Sequence, residues 1–206
     1  MTSGATALRL GVLASGRGSN LQAILEACAS PGFPARVVVV VGDRERAPAL
    51  ERARQHRVPA VWLNPKDFGD RALYDEALRR LLNEHRVGLV CLAGFMRILT
   101  PGFVRAYAGR ILNVHPSLLP AFPGLAAQGR ALEHGVRVAG ATVHFVDEGV
   151  DTGPIILQAS VPVHPDDTEE SLSARILAEE HRLYPEAIRL FADGRLTLAG
   201  RKVIIR

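Results

Sequence analysis

The stretch Leu8-Arg9-Leu10-Gly11-Val12-Leu13-Ala14-Ser15-Gly16-Arg17-Gly18-Ser19-Asn20 joins an apolar run to a glycine-containing turn. A helical pattern from Leu21 to Cys28 follows it directly. Where a strand leads through a glycine loop into a helix, the backbone N–H groups of the loop and the helix dipole favour a bound anion. The dinucleotide fingerprint needs a third glycine at Leu21, and it is absent there. The stretch therefore predicts a site for a single phosphate group, and a tight turn without ligand is the alternative.

Strand and helix patterns alternate along the rest of the chain. Predicted strands cover 8–14, 35–41, 59–63, 87–92, a run into Asn113, 138–146 and 155–163, with a closing hairpin of 196–198 and 202–205. Predicted helices cover 21–28, 48–57, 70–85, 126–134 and 168–193, the last interrupted or kinked near Pro185. This order predicts one α/β domain over residues 1–206, with a mostly parallel sheet that is doubly wound in its first half.

Composition limits the class of protein. The chain has 206 residues, 48% of them hydrophobic and 22% charged, which is ordinary for a globular protein. No run approaches the roughly 18 apolar residues of a membrane span. The start, Met1 to Thr6, lacks the features of a signal peptide. Only Cys28 and Cys91 occur, far apart, so a disulfide framework and a zinc site are not expected. We expect a cytoplasmic protein that does not bind a membrane.

Charge and histidine spacing argue against nucleic acid and metal. The net charge of +4 is compatible with an anionic small substrate. The densest arginine stretch, Arg44 to Arg57, is broken by Glu45 and Glu51, as in a solvated helix face. A nucleic-acid reader is expected to show a denser basic stripe with aromatic residues. No H-x-x-x-H spacing and no G-x-S-x-G elbow is present, so neither a metal nor an α/β-hydrolase is expected.

Two polar residues stand at the end of the fifth predicted strand, in Asn113-Val114-His115-Pro116-Ser117-Leu118-Leu119-Pro120. Residues two apart in a strand share a face, so Asn113 and His115 are expected to point the same way. Ligands bind at the carboxyl ends of strands in open α/β sheets. Asn113 offers an amide donor, and His115 can hold or pass a proton near neutral pH. The alternative is a pair that only satisfies backbone groups.

Three further segments are candidates for ligand contact. The stretch from Ala93 to Leu99 predicts either an apolar loop lining a pocket for a flat organic ligand or a short buried helix. Arg71 opposes the dipole in the first turn of its predicted helix, so we interpret it as a ligand contact. An acidic glycine-containing loop runs from Asp147 to Pro154.

An Asn, a His and an Asp without a strong nucleophile or a metal suit direct acyl transfer between two bound substrates. An amine attacks a carbonyl carbon, and Asn113 with a protonated His115 stabilises the negative charge on its oxygen. Asp151 is the best placed carboxylate to favour the charged form of His115. Asp151 is also expected to relay the proton from the attacking amine to the leaving nitrogen.

The chain resembles the folate-dependent glycinamide ribonucleotide transformylases of purine synthesis. The resemblance runs over essentially the whole chain and rests on four segments in the right order: Gly16 to Gln22, Ala93 to Leu99, Asn113 to Pro120 and Asp147 to Pro154. It implies a Rossmann-like formyltransferase fold with helices on both faces of the sheet. It also implies transfer of the formyl group of 10-formyltetrahydrofolate, as co-substrate, to the amine of glycinamide ribonucleotide in de novo purine (IMP) biosynthesis, by a monomer or homodimer.

The resemblance also implies residue roles. The catalytic set is Asn113, His115 and Asp151. The substrate phosphate is held by Gly18, Ser19 and Asn20. The acceptor is further held by Leu177, Ala178, Glu179 and Glu180, with Glu180 near its ribose or amine end. The formyl-folate is held by Arg71, Met96, Arg97, Ile98, Leu99, Asn113, Asp147, Glu148, Gly149, Val150 and Asp151. Phosphate binding is expected in about residues 1–100, and folate binding and catalysis in about residues 100–206.

The chain departs from the family pattern at one position, and three alternative functions stay open. Family members often have His or Asp where this chain has Ala126, so an auxiliary hydrogen bond there is not expected. A formyltetrahydrofolate hydrolase, or the catalytic domain of a methionyl-tRNA formyltransferase, would use the same triad. Each is expected to carry a further domain, for which this chain has no room. A non-catalytic nucleotide-binding module explains the glycine loop but not the triad.

Overall fold

A computed structural model describes residues 7–206 and contains a central seven-stranded sheet. Its strands are β1 (Leu8–Ala14), β2 (Ala35–Gly42), β3 (Ala60–Trp62), β4 (Leu89–Leu92), β5 (Ile111–His115), β6 (Val138–Phe145) and β7 (Ile155–Pro162). They lie in the order β3-β2-β1-β4-β5-β6-β7. The first five are parallel, and β6 is antiparallel to both β5 and β7. The predicted mostly parallel sheet is confirmed.

Six helices accompany the sheet in the described part of the chain. They are α1 (Ser19–Ala29), α2 (Pro48–Gln55), α3 (Arg71–Glu84), α4 (Pro101–Ala106), α5 (Ala127–Glu133) and α6 (Glu169–Ala192). The predicted helices are present with ends shifted by a few residues, and α4 was not predicted. Of the two predicted alternatives for α6, the interruption is wrong, because the helix runs through Pro185, and the kink near Pro185 stays a prediction. Tertiary packing over many turns outweighs the one backbone hydrogen bond that a proline removes.

Local sequence explains where several helices begin. The Asp70 carboxylate accepts the Leu73 N–H at the start of α3, and the Thr100 hydroxyl accepts the Phe103 N–H at the start of α4. Thr168 and Ser171 form a reciprocal capping box at the start of α6. Each cap satisfies an N–H group that has no partner within its own helix.

Two apolar layers hold the helices against opposite faces of the sheet. One layer contains buried residues of α1, α2 and α6, and the other contains buried residues of α3 and α4. Residues of β2 contribute to both layers, as predicted for a strand buried on both faces. A separate antiparallel hairpin, β8 (Leu196–Ala199) and β9 (Lys202–Ile205), closes the chain as predicted.

The strand order decides where a ligand can bind. β1 lies between β2 and β4, so the connections from β1 and β4 leave the same edge of the sheet in different directions. This topological switch point is where open α/β sheets bind ligands. No helix within residues 7–206 is long and apolar enough to cross a membrane. Residues 1–6, on which the expectation about a signal peptide rests, lie outside the described residues.

Candidate active site

The loop between β1 and α1 leads directly into the N-terminus of α1, where the first backbone N–H groups have no partner within the helix. Gly18 precedes α1 with φ 74°, and as a glycine it gives the first turn no side-chain cap. A Cβ on Gly18 would lie 2.8 Å from the Cα of Ala49, so the loop packs against α2 at a distance that only glycine allows. No acidic residue occupies the first turn of α1. The helix start thus suits an anion, as predicted for Gly18, Ser19 and Asn20.

Two arginines lie beside this loop. Arg52 of α2 donates its Nε–H to the carbonyl of Arg17 at 2.9 Å and an Nη1–H to Gln22 Oε1 at 3.3 Å. The Ala49 N–H also donates to the Gly16 carbonyl at 3.2 Å. Arg17 itself is exposed. The loop is therefore held from α2 by Arg52 and the Ala49 N–H, and it carries one exposed arginine of its own.

A buried amide–carboxylate pair links the start of α1 to α6. Asn20 Nδ2 donates to Glu180 Oε2 at 2.7 Å, and both side chains are buried. Burial raises the pKa of Glu180, while the hydrogen bond from Asn20 opposes this. Asn20 Oδ1 is buried without a hydrogen-bond partner among the described residues. A buried polar atom without a hydrogen-bond partner lowers the stability of the fold, and a hydrogen bond from a ligand would remove this penalty.

The other acceptor residues predicted on α6 differ in their placement. Leu177 is half-buried, Ala178 is exposed, and Glu179 forms an ion pair with Arg182 at 2.8 Å. Of the four, Glu180 alone is buried against the loop. The roles of the other three stay predictions.

The predicted catalytic residues lie together. Asn113 and His115 come from the same face of β5, as the two-residue spacing predicts, and Asp151 comes from the loop between β6 and β7. His115 Nδ1 lies 3.3 Å from Asp151 Oδ2, and Asn113 Nδ2 donates to Asp151 Oδ1 at 3.3 Å. All three line one cavity. The non-catalytic alternative gave no reason for this convergence.

Neighbouring groups determine the proton positions on His115. Its Nε2 lies 2.8 Å from the backbone carbonyl of Phe122, which only accepts hydrogen bonds, so Nε2 carries a hydrogen. The contact from Nδ1 to Asp151 is then a hydrogen bond only when His115 is charged. Burial lowers the pKa of His115, whereas the Phe122 carbonyl and the Asp151 carboxylate oppose that lowering. Asp151 thus acts in the predicted direction, but burial outweighs it before substrate arrives.

Asp151 itself remains ionised. Burial alone would raise the pKa of this carboxyl group. The neighbouring His144, a hydrogen bond from the Gly124 N–H and the nearby His115 instead lower it to about 2. The Gly124 N–H donates to Asp151 Oδ2 at 2.7 Å. A carboxylate is therefore present beside His115 throughout the neutral pH range.

His144 is a member of this cluster that the sequence did not reveal. It is buried in β6 directly across from Asn113, whose Nδ2 lies 3.2 Å from His144 Nε2. The Nδ1 atom of His144 lies 2.8 Å from the Phe145 carbonyl, so Nε2 is the acceptor in the neutral ring. Apart from His144 and Thr142, the residues of β6 are apolar or glycine. Only the pairing of β5 with β6 identifies it.

A buried polar network holds the segment that follows His115. The Thr142 hydroxyl donates to the Ser117 carbonyl at 2.6 Å and accepts the Leu119 N–H at 3.1 Å. Gln158 Nε2 lies 2.9 Å from both the Leu119 carbonyl and Thr142 Oγ1. These contacts fix the turn that brings the Phe122 carbonyl to His115. The sequence pattern of β6 and β7 gave no signal for either Thr142 or Gln158.

The loop that carries Asp151 is tightly braced. Asp151 has φ 54°, a left-handed conformation that Asp tolerates better than most residues. A Cβ on Gly153 would lie 1.8 Å from the Phe145 carbonyl oxygen, so the loop passes against β6 where only glycine fits. Asp147 Oδ1 accepts from Thr152 Oγ1 at 2.6 Å, and Arg201 of the hairpin donates to the Thr152 carbonyl at 2.8 Å. Asp147 thus shapes the loop.

A cavity of about 530 Å³ opens beside the catalytic set, within the size range of small-molecule sites. Its lining includes the predicted folate residues Met96, Arg97, Ile98, Leu99, Asn113, Asp147, Glu148, Gly149, Val150 and Asp151. Met96, Ile98, Leu125 and Val150 are exposed apolar side chains within this lining. Such a concentration of exposed apolar residues marks an interaction site. It suits the flat apolar surface of an aromatic ligand.

For the segment from Ala93 to Leu99 the sequence left two alternatives, a loop and a short buried helix. The structure has a loop, because no helix forms there. The Arg97 guanidinium lies over the ring of Tyr74, 4.9 Å from its centroid. Arg71 begins α3, is exposed, and is not among the residues that line the cavity. Its folate contact stays a prediction. Ala126, which also lines the cavity, brings no polar side chain.

A single buried serine connects the loops that follow β1 and β4. The Ser15 N–H donates to the Gly94 carbonyl at 3.1 Å, and Ser15 Oγ accepts the Met96 N–H at 2.8 Å. The phosphate loop begins directly after Ser15, and the cavity loop contains Met96. The two loops are therefore held at a fixed separation. Among the described residues, no group of three His, Cys, Asp or Glu side chains is placed to hold a metal ion.

A family model described as formyl transferase matches residues 8–188 of this chain. The chain belongs to the formyl transferase family. The match covers the phosphate loop, the cavity loop, the catalytic set and Glu180. The resemblance inferred from the sequence is confirmed at the level of the family.

Curated relatives are more specific in name. The chain is 48% identical over 187 residues to a phosphoribosylglycinamide formyltransferase of Escherichia coli, covering 91% of this chain and 88% of that protein. It is 50% identical over 188 residues to the trifunctional purine biosynthetic protein adenosine-3 of Drosophila melanogaster, covering 90% of this chain. The chain spans only about 14% of that longer relative.

Solved structures show the same fold in two enzymes with different names. Glycinamide ribonucleotide transformylase 1 from Symbiobacterium toebii superposes with a TM-score of 0.95 at 58% identity, covering 97% of this chain and 94% of that one. A formyltetrahydrofolate deformylase from Pseudomonas syringae superposes with a TM-score of 0.90 at 28% identity, covering 98% of this chain and 66% of that one. Backbone similarity is high for both, while sequence identity is much higher for the transformylase.

Proposed function

We propose that this enzyme transfers the formyl group of 10-formyltetrahydrofolate to the amine of glycinamide ribonucleotide, giving formylglycinamide ribonucleotide and tetrahydrofolate in de novo purine biosynthesis. The observation that carries the proposal is that two candidate substrate sites lie at the same edge of the central sheet. The cavity lined by Asn113, His115 and Asp151 and the phosphate loop at Gly18 both follow strand ends at that edge, and Ser15 links the loop to Met96 of the cavity. The two neighbouring sites fit an anionic acceptor and a flat aromatic donor.

The acceptor occupies the side formed by α1 and α6. Its phosphate accepts the N–H groups of Gly18, Ser19 and Asn20 at the positive end of α1. Glu180 faces its ribose or amine end, and the unpaired Asn20 Oδ1 offers an acceptor for a donor on the same molecule. Leu177, Ala178 and Glu179 border this side. Arg17 adds positive charge outside the loop.

The formyl-folate occupies the cavity. Its ring system lies between the loop Met96 to Leu99 and the loop Asp147 to Asp151, whose apolar side chains are exposed at the cavity. Arg97 and Arg71 are the cations available to its carboxylate end. The formyl group then points toward Asn113 and His115. This arrangement needs no metal ion.

The reaction proceeds through a tetrahedral intermediate. The acceptor amine attacks the formyl carbon, and negative charge develops on the formyl oxygen, where the Asn113 amide and a charged His115 stabilise it. Asp151 keeps His115 charged once substrate is bound and takes up the proton that the amine loses. The bond from the formyl carbon to the folate nitrogen then breaks, and that nitrogen receives the proton. Holding both substrates together supplies much of the rate.

The predicted division of labour along the chain is kept as part of this proposal. Residues 1–100 mainly provide phosphate binding, and residues 100–206 mainly provide folate binding and catalysis. Glu180 crosses this division, because α6 returns to the start of α1. We propose that the enzyme acts in the cytoplasm, since Cys28 and Cys91 are both free thiols. We further propose that it acts as a monomer or homodimer.

The test is a formyl-transfer assay with purified protein, glycinamide ribonucleotide and 10-formyltetrahydrofolate. Loss of the formyl group should require the acceptor and should yield formylated product in equal amount. Asp151→Asn should lower kcat by about 10²- to 10⁴-fold, as expected for loss of a proton-transfer group. The substitution Asp166→Asn, at an exposed position, serves as the matched control and should leave kcat unchanged.

Three outcomes would replace this proposal. Formyl release that proceeds equally without acceptor would identify a formyltetrahydrofolate hydrolase, the activity of the deformylase fold relative. Nucleotide binding without any turnover would identify a non-catalytic module. Formylation of methionyl-tRNA in place of the ribonucleotide would assign the third alternative.

A further inference from the structure

A tyrosine that touches neither cavity nor phosphate loop connects the two sides of the site. Tyr184 of α6 is fully buried. Its hydroxyl lies 3.0 Å from the Leu92 carbonyl and 2.9 Å from the Leu112 carbonyl. A hydroxyl has one proton, and a backbone carbonyl only accepts, so the two carbonyls share a single donor. This contact ties α6 to the last residue of β4 and to the second residue of β5.

Both carbonyls stand directly before functional residues. Leu92 ends β4, and the loop from Ala93 that lines the cavity follows it. Leu112 precedes Asn113 within β5, so its carbonyl belongs to the peptide that carries the Asn113 nitrogen. The direction of that peptide plane fixes where the Asn113 side chain points. The Tyr184 hydroxyl therefore restrains the catalytic amide through the backbone.

The same helix carries the acceptor residue. Glu180 stands four residues before Tyr184, so the two side chains lie on one face of α6, about one turn apart. Glu180 in turn holds Asn20 at the start of α1. A chain of contacts thus runs from the phosphate loop, through Glu180 and one turn of helix, to the Leu112–Asn113 peptide.

The helix lacks one backbone hydrogen bond at this point. Pro185 has no N–H, so the carbonyl of His181 receives no helical hydrogen bond from it. Prolines inside helices are common points of bending. The turn that lacks this hydrogen bond runs from His181 to Pro185 and directly follows Glu180 in α6. The hydrogen bonds of Tyr184 anchor the helix to the sheet at that turn.

We propose that Tyr184 is a positioning residue that sets the distance between the acceptor side of the site and Asn113. The inference rests on the proposed formyl transfer, in which the acceptor amine must approach a formyl carbon held beside Asn113. Reacting atoms must come within about 3.5 Å in a fixed orientation, and small displacements reduce the rate strongly. Tyr184 acts through backbone carbonyls and contacts no substrate.

The test compares Tyr184→Phe with Tyr107→Phe. Phe keeps the ring and its packing in both cases. Tyr107 is also buried, and its hydroxyl donates to Asn83 Oδ1 at 3.1 Å, on the face of the sheet opposite α6. Each variant therefore loses one buried hydroxyl, but only Tyr184 adjoins the strand ends. Both are assayed well below the melting temperature of the less stable variant.

Tyr184→Phe should lower kcat about tenfold while changing the KM of each substrate less than about twofold, because positioning in the transition state is lost rather than ground-state binding. Tyr107→Phe should leave kcat unchanged. An unchanged kcat in Tyr184→Phe, with a lower melting temperature alone, would reduce Tyr184 to a structural role and overturn the proposal. An equal loss of kcat in both variants would do the same.

A second readout separates this inference from the proposed function. The side-chain amide resonance of Asn113 in a ¹H–¹⁵N spectrum should shift in Tyr184→Phe and stay in place in Tyr107→Phe. This measurement requires no turnover, so it decides the role of Tyr184 even if the wild-type protein transfers no formyl group. An unmoved Asn113 resonance in Tyr184→Phe would overturn the proposal.

Discussion

The phosphate loop and the catalytic set lie at the same edge of the sheet but are built from different parts of the chain. The loop before α1 consists of backbone N–H groups whose direction follows from Gly18 and the helix start. The catalytic set consists of side chains held by other side chains and carbonyls, among them His144 and the Phe122 carbonyl. A site made of backbone depends on conformation, whereas a site made of side chains depends on proton positions. Substitutions should therefore affect the two in different kinetic parameters.

The largest effect is expected for His115→Ala. Removing the charged donor should lower kcat about 10³-fold, while the KM of the acceptor stays nearly constant, because no phosphate contact is lost. Steady-state kinetics with each substrate varied in turn provide the measurement. His164→Ala removes an exposed imidazole and is the matched control. A rise in acceptor KM as large as the fall in kcat would contradict the separation of the two regions.

Gly18→Ala should produce the opposite pattern. An alanine at φ 74° is strained, and its Cβ would lie 2.8 Å from the Ala49 Cα. The loop must shift, so the KM of glycinamide ribonucleotide should rise about 10- to 100-fold through lost hydrogen bonds to its phosphate. The KM of the folate should change little.

Gly16→Ala is the control within the same loop. A Cβ on Gly16 meets no atom within 4 Å, and its φ is not in the left-handed region. Its kinetics should equal those of the wild-type protein. If both glycine variants lose acceptor binding equally, the special conformation of Gly18 does not explain the phosphate site.

Thr142→Val tests the support of the catalytic set. The side chain keeps its shape but loses its hydroxyl, which leaves the Leu119 N–H and the Ser117 carbonyl without that partner in a buried place. The free energy of unfolding should fall by about 2 kcal/mol. Chemical denaturation measures the change. Thr197→Val, on the partly exposed hairpin, should change it by less than about 0.5 kcal/mol. Equal effects would show that the network adds nothing.

The smallest effect concerns the pH dependence of the residual activity of Asp151→Asn. The charged form of His115 is lost as pH rises through its pKa, which burial already lowers. Asp151 opposes this lowering, so its neutralisation should lower the pKa of His115 further. The decline of kcat/KM with rising pH should therefore begin at lower pH than in the wild-type protein. A shift toward higher pH would exclude His115 as the charged group.

Local patterns in the sequence predicted the backbone features of this molecule well. The strand, glycine loop and helix at Leu8–Ala29 follow from apolar runs and from glycine, and the parallel sheet follows from the alternation of elements. Helix α4 escaped prediction because six residues are too few to establish a helical period. Its start depends on a single cap at Thr100.

Side-chain networks were predicted only in part. Asn113 and His115 are two residues apart on one strand, so a local rule places them together. His144, Thr142 and Gln158 join them only through the register of β5, β6 and β7, which no local pattern specifies. The helix dipole led us to interpret Arg71 as a ligand contact. Arg71 is not among the residues that line the cavity, so this contact stays a prediction. Long-range pairing is the information that local sequence patterns lack.

The bonds of Ser15 have a consequence for transplanting parts of this enzyme. Because its N–H and hydroxyl engage Gly94 and Met96, the loops after β1 and β4 form one mechanical unit despite being some 80 residues apart in the chain. A chimera that takes the first loop from a relative with a different substrate specificity, and leaves the second in place, would join two loops shaped for different neighbours. Exchange of the two loops together keeps the unit intact, so a change of substrate preference by recombination should follow blocks that contain both.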